Sequence, residues 1–147
     1  MFAGNMTAER NLEMHLPIAV VGGGLTGMAA ALALARAGVH VALIVKAGAP
    51  PLDLRTAALF PASVQLLRNL GVWEACEAEA TALAAIRIVD DTGWLLRAPE
   101  TQFCAADLGL PALAWNIANC ALGRALEAGI ARCPGVIRIE TAATPSY

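Results

Sequence analysis

The stretch Ile18-Ala-Val-Val-Gly-Gly-Gly-Leu-Thr-Gly-Met-Ala-Ala-Ala-Leu-Ala-Leu-Ala35 runs for eighteen residues without a charge. That length meets the threshold for a membrane-spanning helix, and Gly23 and Gly27 even form the G-x-x-x-G of a helix-packing face. Two features oppose a span. Gly22, Gly23 and Gly24 are adjacent, and inside a helix each costs about 1 kcal/mol relative to alanine. The residue types also change across them: Ile18, Val20 and Val21 are β-branched and suit a strand buried on both faces, whereas Met28 to Ala37 are strong helix formers. Strand, glycine turn and helix is the simpler parse.

Working outward, Gly38 closes the helix as a C-cap, and Val39-His-Val-Ala-Leu-Ile-Val45 reads as a second buried strand, which completes a βαβ unit. Ala31, Leu34 and Ala35 continue the helix face that lies on the sheet. Gly22, Gly24 and Gly27 fall at the G-x-G-x-x-G spacing, directly after a strand and opening a helix. Gly22 allows the tight turn, Gly24 lets a pyrophosphate approach the backbone, and Gly27 lets helix and strand pack closely. The helix start adds unpaired N–H groups and the positive end of its dipole. In this setting the motif points to a bound dinucleotide. One expected part is missing: Val45 stands where an acidic residue would hold a ribose hydroxyl, which leaves Lys46 or a backbone group to serve the adenosine end.

The chain has 147 residues, the size of one domain, with 58% hydrophobic and 15% charged residues and a net charge of -2. A mean hydropathy of +0.60 calls for extensive burial. The ten Lys and Arg form no run and no aromatic platform, so the sequence offers no nucleic-acid surface. Cys76, Cys104, Cys120 and Cys133 are widely spaced, which suits reduced cytoplasmic thiols, and neither they nor His15 and His40 show metal-ligand spacing. Met1 to Leu16 is mixed and polar and reads as a flexible tail, leaving 17–147 as the folded part.

Ala47-Gly-Ala-Pro-Pro51 reads as a loop, and in Asp53-Leu-Arg55-Thr56 the acid and the threonine are placed to start a helix. Val64, Leu67 and Leu70 recur at helical spacing up to Gly71, and Val72 and Trp73 are expected to pack below that helix. Ala85 to Ala98 reads as a β-hairpin around Asp90-Asp-Thr-Gly93, with the two acids in a solvated turn rather than as a catalytic pair. Pro99 to Leu110 reads as irregular, Asn119 to Arg132 as a helix, and Val136 to Glu140 as a third strand. The predicted fold is α/β: a Rossmann-like βαβ unit with a parallel sheet, plus a hairpin excursion.

These residues carry a resemblance. Val20-Val-Gly-Gly-Gly-Leu-Thr-Gly27, Asp53-Leu-Arg55-Thr-Ala-Ala-Leu59, Leu70-Gly-Val-Trp73, Ile86 to Gly93, Leu96-Arg-Ala-Pro-Glu100 and Trp115-Asn-Ile-Ala-Asn119 with Leu122 and Leu126 are similar to the N-terminal part of the FAD-dependent hydroxylases of ubiquinone biosynthesis, within the p-hydroxybenzoate hydroxylase class. The resemblance implies FAD as cofactor, NAD(P)H as electron donor, O2 as co-substrate and a hydroxylated aromatic ring, the substrate being a polyprenylated phenol or quinone precursor. It implies that Gly22, Gly24 and Gly27, with the N–H groups of Leu25 and Thr26, hold the pyrophosphate, and that Arg55 lies beside the flavin. Asn119 falls where this class places a polar side chain against the flavin chain, and a plain helix N-cap explains it equally well. No catalytic side chain is assigned, because the flavin performs the chemistry.

The resemblance further implies a cytoplasmic protein, peripheral at the inner face of the membrane if its substrate is a lipid, and a place in a ubiquinone-biosynthesis complex. Family members are longer, and their later Gly-Asp motif has no counterpart before Tyr147, so the chain reads as an incomplete FAD-binding domain, inactive alone. Two alternatives stay open: another Rossmann-type oxidoreductase, or a non-catalytic nucleotide-binding module.

Overall fold

The computed structural model describes residues 16–48 and 53–142. The expected tail lies outside these residues except for Leu16, as do positions 49–51 of the expected loop. The opening stretch divides as its composition predicts. Strand β1 (Ile18–Val21) enters a glycine turn, helix α1 (Leu25–Arg36) leaves it, and β2 (Val41–Lys46) returns parallel to β1 with Ile18 opposite Val41. At twelve residues α1 is far short of a bilayer, and among the described residues no helix is long and apolar enough to cross one.

Strand β3 (Thr56–Leu59) and helix α2 (Pro61–Asn69) follow, then the short strand β4 (Thr81–Leu83). Strands β5 (Ala85–Ile88) and β6 (Thr101–Cys104) form a two-stranded antiparallel ribbon. Strand β7 (Ala114–Ala118) runs straight into helix α3 (Asn119–Ala131), and β8 (Val136–Thr141) ends the described chain. β8 pairs in parallel with β2, giving a sheet of order β1-β2-β8. A second, antiparallel sheet has the order β3-β7-β4, with β7 in the middle.

Four expectations need correction. Thr56 does not open a helix: residues 56–59 form an edge strand on β7, and α2 starts at Pro61, whose fixed φ suits a first helical position. The hairpin expected over 85–98 pairs differently. Ile88 meets Thr101, so the second strand is β6 and the segment around Leu95 is a wide loop. The Asp90 carboxylate holds that loop by accepting from the N–H groups of Thr92 and Ala98, at 3.1 and 2.9 Å. The segment expected to be irregular over 99–110 therefore contains a strand. Finally, β1 is not buried on both faces, since Ile18 and Val21 are exposed.

The core lies where α1 and α3 pack on one face of the parallel sheet, with Leu32, Val41, Leu43 and Leu126 nearly inaccessible. Gly129 permits the helix contact, because a Cβ there would lie 3.2 Å from Leu32 Cδ1 and 3.3 Å from Val72 Cγ2. Val72 and Trp73, expected to pack below α2, are fully buried. The Trp73 ring meets Trp115 of β7 edge to face, centroids 6.2 Å apart, and so joins the helical layer to the second sheet. Trp73→Ala is expected to cost about 3–5 kcal/mol, read as a lowered midpoint in urea denaturation with little change of slope.

Candidate functional site: a dinucleotide cleft

The site starts from the glycine turn. Gly22 takes a φ of +117° that a side chain would strain, and its N–H donates to the Ile44 carbonyl at 2.9 Å, locking the turn to β2. A Cβ on Gly27 would run into the Gly22 carbonyl oxygen, so only glycine lets α1 sit this close to the end of β1. Gly24 is the N-cap of α1 in extended conformation; no side chain caps the end and no acid occupies the first turn. Met28 N–H is bonded to Gly24 O at 2.9 Å, which leaves the preceding N–H groups of the first turn without intrahelical acceptors. Space beside Gly24 is open.

This helix start faces a cavity of about 900 Å3. Gly23, Gly24 and Leu25 form one wall, Asn119, Arg124 and Glu127 of α3 another, and Asp53 and Arg55 close one end. There the hydrogen bonds are dense. Arg55 Nε donates to Asp53 Oδ1 at 2.9 Å and Arg55 Nη2 to Oδ2 at 2.8 Å, a bidentate fork. Asn119 Nδ2 donates to Asp53 Oδ2 at 2.9 Å, and the Asn119 backbone N–H donates to the Arg55 carbonyl at 2.9 Å. A carboxylate only accepts, so the Asn119 amide must turn its NH2 towards Asp53. Its Oδ1 is then buried without a donor among the described residues.

The Arg55 fork, helped by Asn119 and the Arg55 N–H, holds the Asp53 carboxyl well below the usual carboxylate range. Arg124 Nη2 donates to both oxygens of Glu79 at 3.0 Å, and Arg138 Nη1 to both oxygens of Glu127 at 3.0 and 2.7 Å.

Of the residues singled out in the sequence, Gly24, Leu25, Arg55 and Asn119 meet at this cavity. Gly22 and Gly27 build the turn behind it. Thr26 lines a neighbouring apolar groove with Ala29, Leu59 and Leu66. Lys46 ends β2 in an exposed position and is not among the cavity-lining residues. The N-cap explanation of Asn119 is overturned, because Ala118 is the N-cap of α3 and Asn119 the first helical residue. Asp53, Arg124 and Glu127 were not foreseen as cavity residues. The two-residue spacing of Asp53 and Arg55 was the one signal for the fork, and nothing local marks the other two.

A βαβ turn whose uncapped helix start faces a cleft defines a dinucleotide-binding α/β domain. The family described as "FAD binding domain" matches residues 15–134, and the chain belongs to that family. It is 37% identical over 125 residues to the 3-demethoxyubiquinol 3-hydroxylase of Escherichia coli (strain K12), an alignment covering 81% of this chain and 31% of that protein. Among solved structures it is similar in fold to the flavin-dependent monooxygenase PieE in complex with FAD and substrate (TM-score 0.65, 22% identity, 87% of this chain and 24% of that one). It is also similar to p-nitrophenol 4-monooxygenase PnpA from Pseudomonas putida DLL-E4 (TM-score 0.63, 19% identity, 84% and 31%). The chain thus spans less than a third of the length of each of these proteins.

The residues present fit FAD: free amides and a side-chain-free approach at Gly24 suit its diphosphate, and the unsatisfied Asn119 Oδ1 suits a hydroxyl donor.

A carboxylate with a depressed folded-state pKa adds stability above its unfolded value and loses it as pH falls through the folded one. The Asp53 contribution is therefore whole above the range in which ordinary carboxylates titrate. It declines as pH falls through that range, because the unfolded chain takes up its proton first, and is gone once the folded carboxyl protonates in stronger acid. An NMR titration of the side-chain carboxyl carbons should show Asp53 still ionised at a pH where an aspartate in a model peptide is half protonated.

Proposed function

We propose that this chain supplies the FAD-binding part of an NAD(P)H- and O2-dependent hydroxylase of an aromatic ring, with a polyprenylated phenol or quinone precursor as substrate in ubiquinone biosynthesis. The observation that carries this is the cleft itself, with an uncapped α1 at its side and the Asp53–Arg55–Asn119 cluster at one end. The 37% identity to 3-demethoxyubiquinol 3-hydroxylase supports the substrate class. When bound, FAD supplies the electron transfer and the oxygen activation.

The chain's residues bind and orient. The amides of Leu25 and Thr26, on the turn built by Gly22, Gly24 and Gly27, hold the diphosphate against the helix dipole. Arg55 presents a fixed cation beside the flavin, suited to an anionic reduced ring or to passing NAD(P)H. Asn119 lies against the flavin chain, and Lys46 or a backbone group serves the adenosine end of the ligand. The protein works in the cytoplasm, peripheral at the inner face of the membrane where a prenylated substrate resides, within a ubiquinone-biosynthesis complex.

A second reading rests on the coverage of 31% of that relative: a non-catalytic FAD-binding module. The visible spectrum of the purified chain tests both. Bound flavin absorbs near ~450 nm, so the protein should be yellow, and Arg55→Ala should weaken flavin retention several-fold. Colourless protein defeats both readings, whereas yellow protein that never oxidises NAD(P)H with a quinol substrate present favours the module.

A further inference from the structure

The acid that the glycine motif calls for is lacking, since Val45, the last residue of β2 but one, stands in its place. The Val45 side chain lies directly beneath the turn: a Cβ on Gly23 would be 2.8 Å from Val45 Cγ1. A carboxylate serving a ribose there has to come from another strand.

The parallel register supplies one. Val45 is the Cα partner of Glu140 on β8. Paired residues of neighbouring strands point to the same face, and the strands lie about 4.8 Å apart, within reach of a glutamate side chain. Two contacts identify that face as the one under the helices. Val41 and its partner Val136 both belong to the core, and Arg138, partner of Leu43, reaches Glu127 on the cavity wall. Glu140 follows Arg138 by two residues, on the same side and nearer the carboxyl end of the sheet.

The grip on each side chain separates the two acids. Both oxygens of Glu127 accept from Arg138 Nη1, at 3.0 and 2.7 Å, which ties that carboxylate to the sheet. Glu140 has one loose contact, Oε1 to Arg138 Nε at 3.6 Å, with its side chain 58% exposed. An exposed pair of that kind holds a side chain weakly.

We propose that Glu140 accepts the hydrogen bond of the adenosine ribose, making from the neighbouring strand the contact that an acid at position 45 would make. The proposal rests on the chain binding an adenine dinucleotide at the glycine turn. The carboxylate accepts from the ribose 2′-hydroxyl in a charge-assisted bond.

The test measures binding of ADP and of 2′-deoxy-ADP to the 147-residue chain by calorimetry. The wild-type chain should prefer ADP by about tenfold, the value of one such hydrogen bond. Glu140→Ala, an exposed edge-strand change, should abolish the preference by weakening ADP while leaving 2′-deoxy-ADP unchanged. Adding Val45→Glu to that variant should restore the preference, an outcome that a general loss of structure does not give. A preference that survives in Glu140→Ala overturns the proposal and leaves nucleotide binding standing. A wild-type chain that binds neither nucleotide overturns both.

Discussion

The rest of the structure depends on the contact between Gly27 and the carbonyl of Gly22. At Gly23 the obstacle to a side chain is Val45, another side chain that has some freedom to shift. At Gly27 the obstacle is backbone held in place by the Gly22–Ile44 hydrogen bond, so it cannot yield. This contact fixes how α1 leaves β1, and hence the direction of its unpaired N–H groups. It also sets the height at which α1 crosses the sheet, which decides whether Leu32 and Ala31 meet the core. Cofactor site and hydrophobic core are built from one steric constraint.

Charge in the cleft is paired before any ligand arrives. Arg55 is forked onto Asp53, Arg124 is paired with Glu79, and Arg138 with Glu127. Such exposed pairs add little stability, but at 2.7 to 3.0 Å each sets a carboxylate directly against its arginine. A diphosphate entering the cleft meets its first uncompensated positive potential at the backbone of α1. Amides fixed by a helix need no reorganisation to receive it, whereas an arginine has to give up a carboxylate first.

The βαβ unit could be read from the sequence because it is local: β-branched strand, three glycines and alanine-rich helix occupy eighteen consecutive residues. α3 and β8 were readable for the same reason, each carrying its own period. The second sheet was not. β7 pairs with Thr56–Leu59 on one side and Thr81–Leu83 on the other, partners more than thirty residues distant, and neither edge strand alternates clearly. The hairpin failed because Asp-Asp-Thr-Gly resembles a tight turn, although Asp90 uses its carboxylate to stabilise a wider loop ending at Ala98. In the site, the glycines were visible as a motif. Arg124 and Glu127 reach the cavity through the packing of α3 on α1, which no spacing encodes.

The two sheets meet at the cavity. β7 runs without a loop into α3, so Asn119 follows directly on an antiparallel strand and starts a cavity wall. The bond from Asn119 N–H to the Arg55 carbonyl continues the β3–β7 ladder by one step and carries Arg55 with it. One wall therefore moves with the parallel sheet and the Asp53–Arg55–Asn119 cluster with the antiparallel one. The Trp73–Trp115 contact and the helical core hold them in fixed relation. A change that loosens β7 shifts the Arg55 end of the cleft relative to the glycine turn, and does so without touching a residue of that turn. Separation of the two ends, rather than damage to either, is how distant packing would control a ligand long enough to span both.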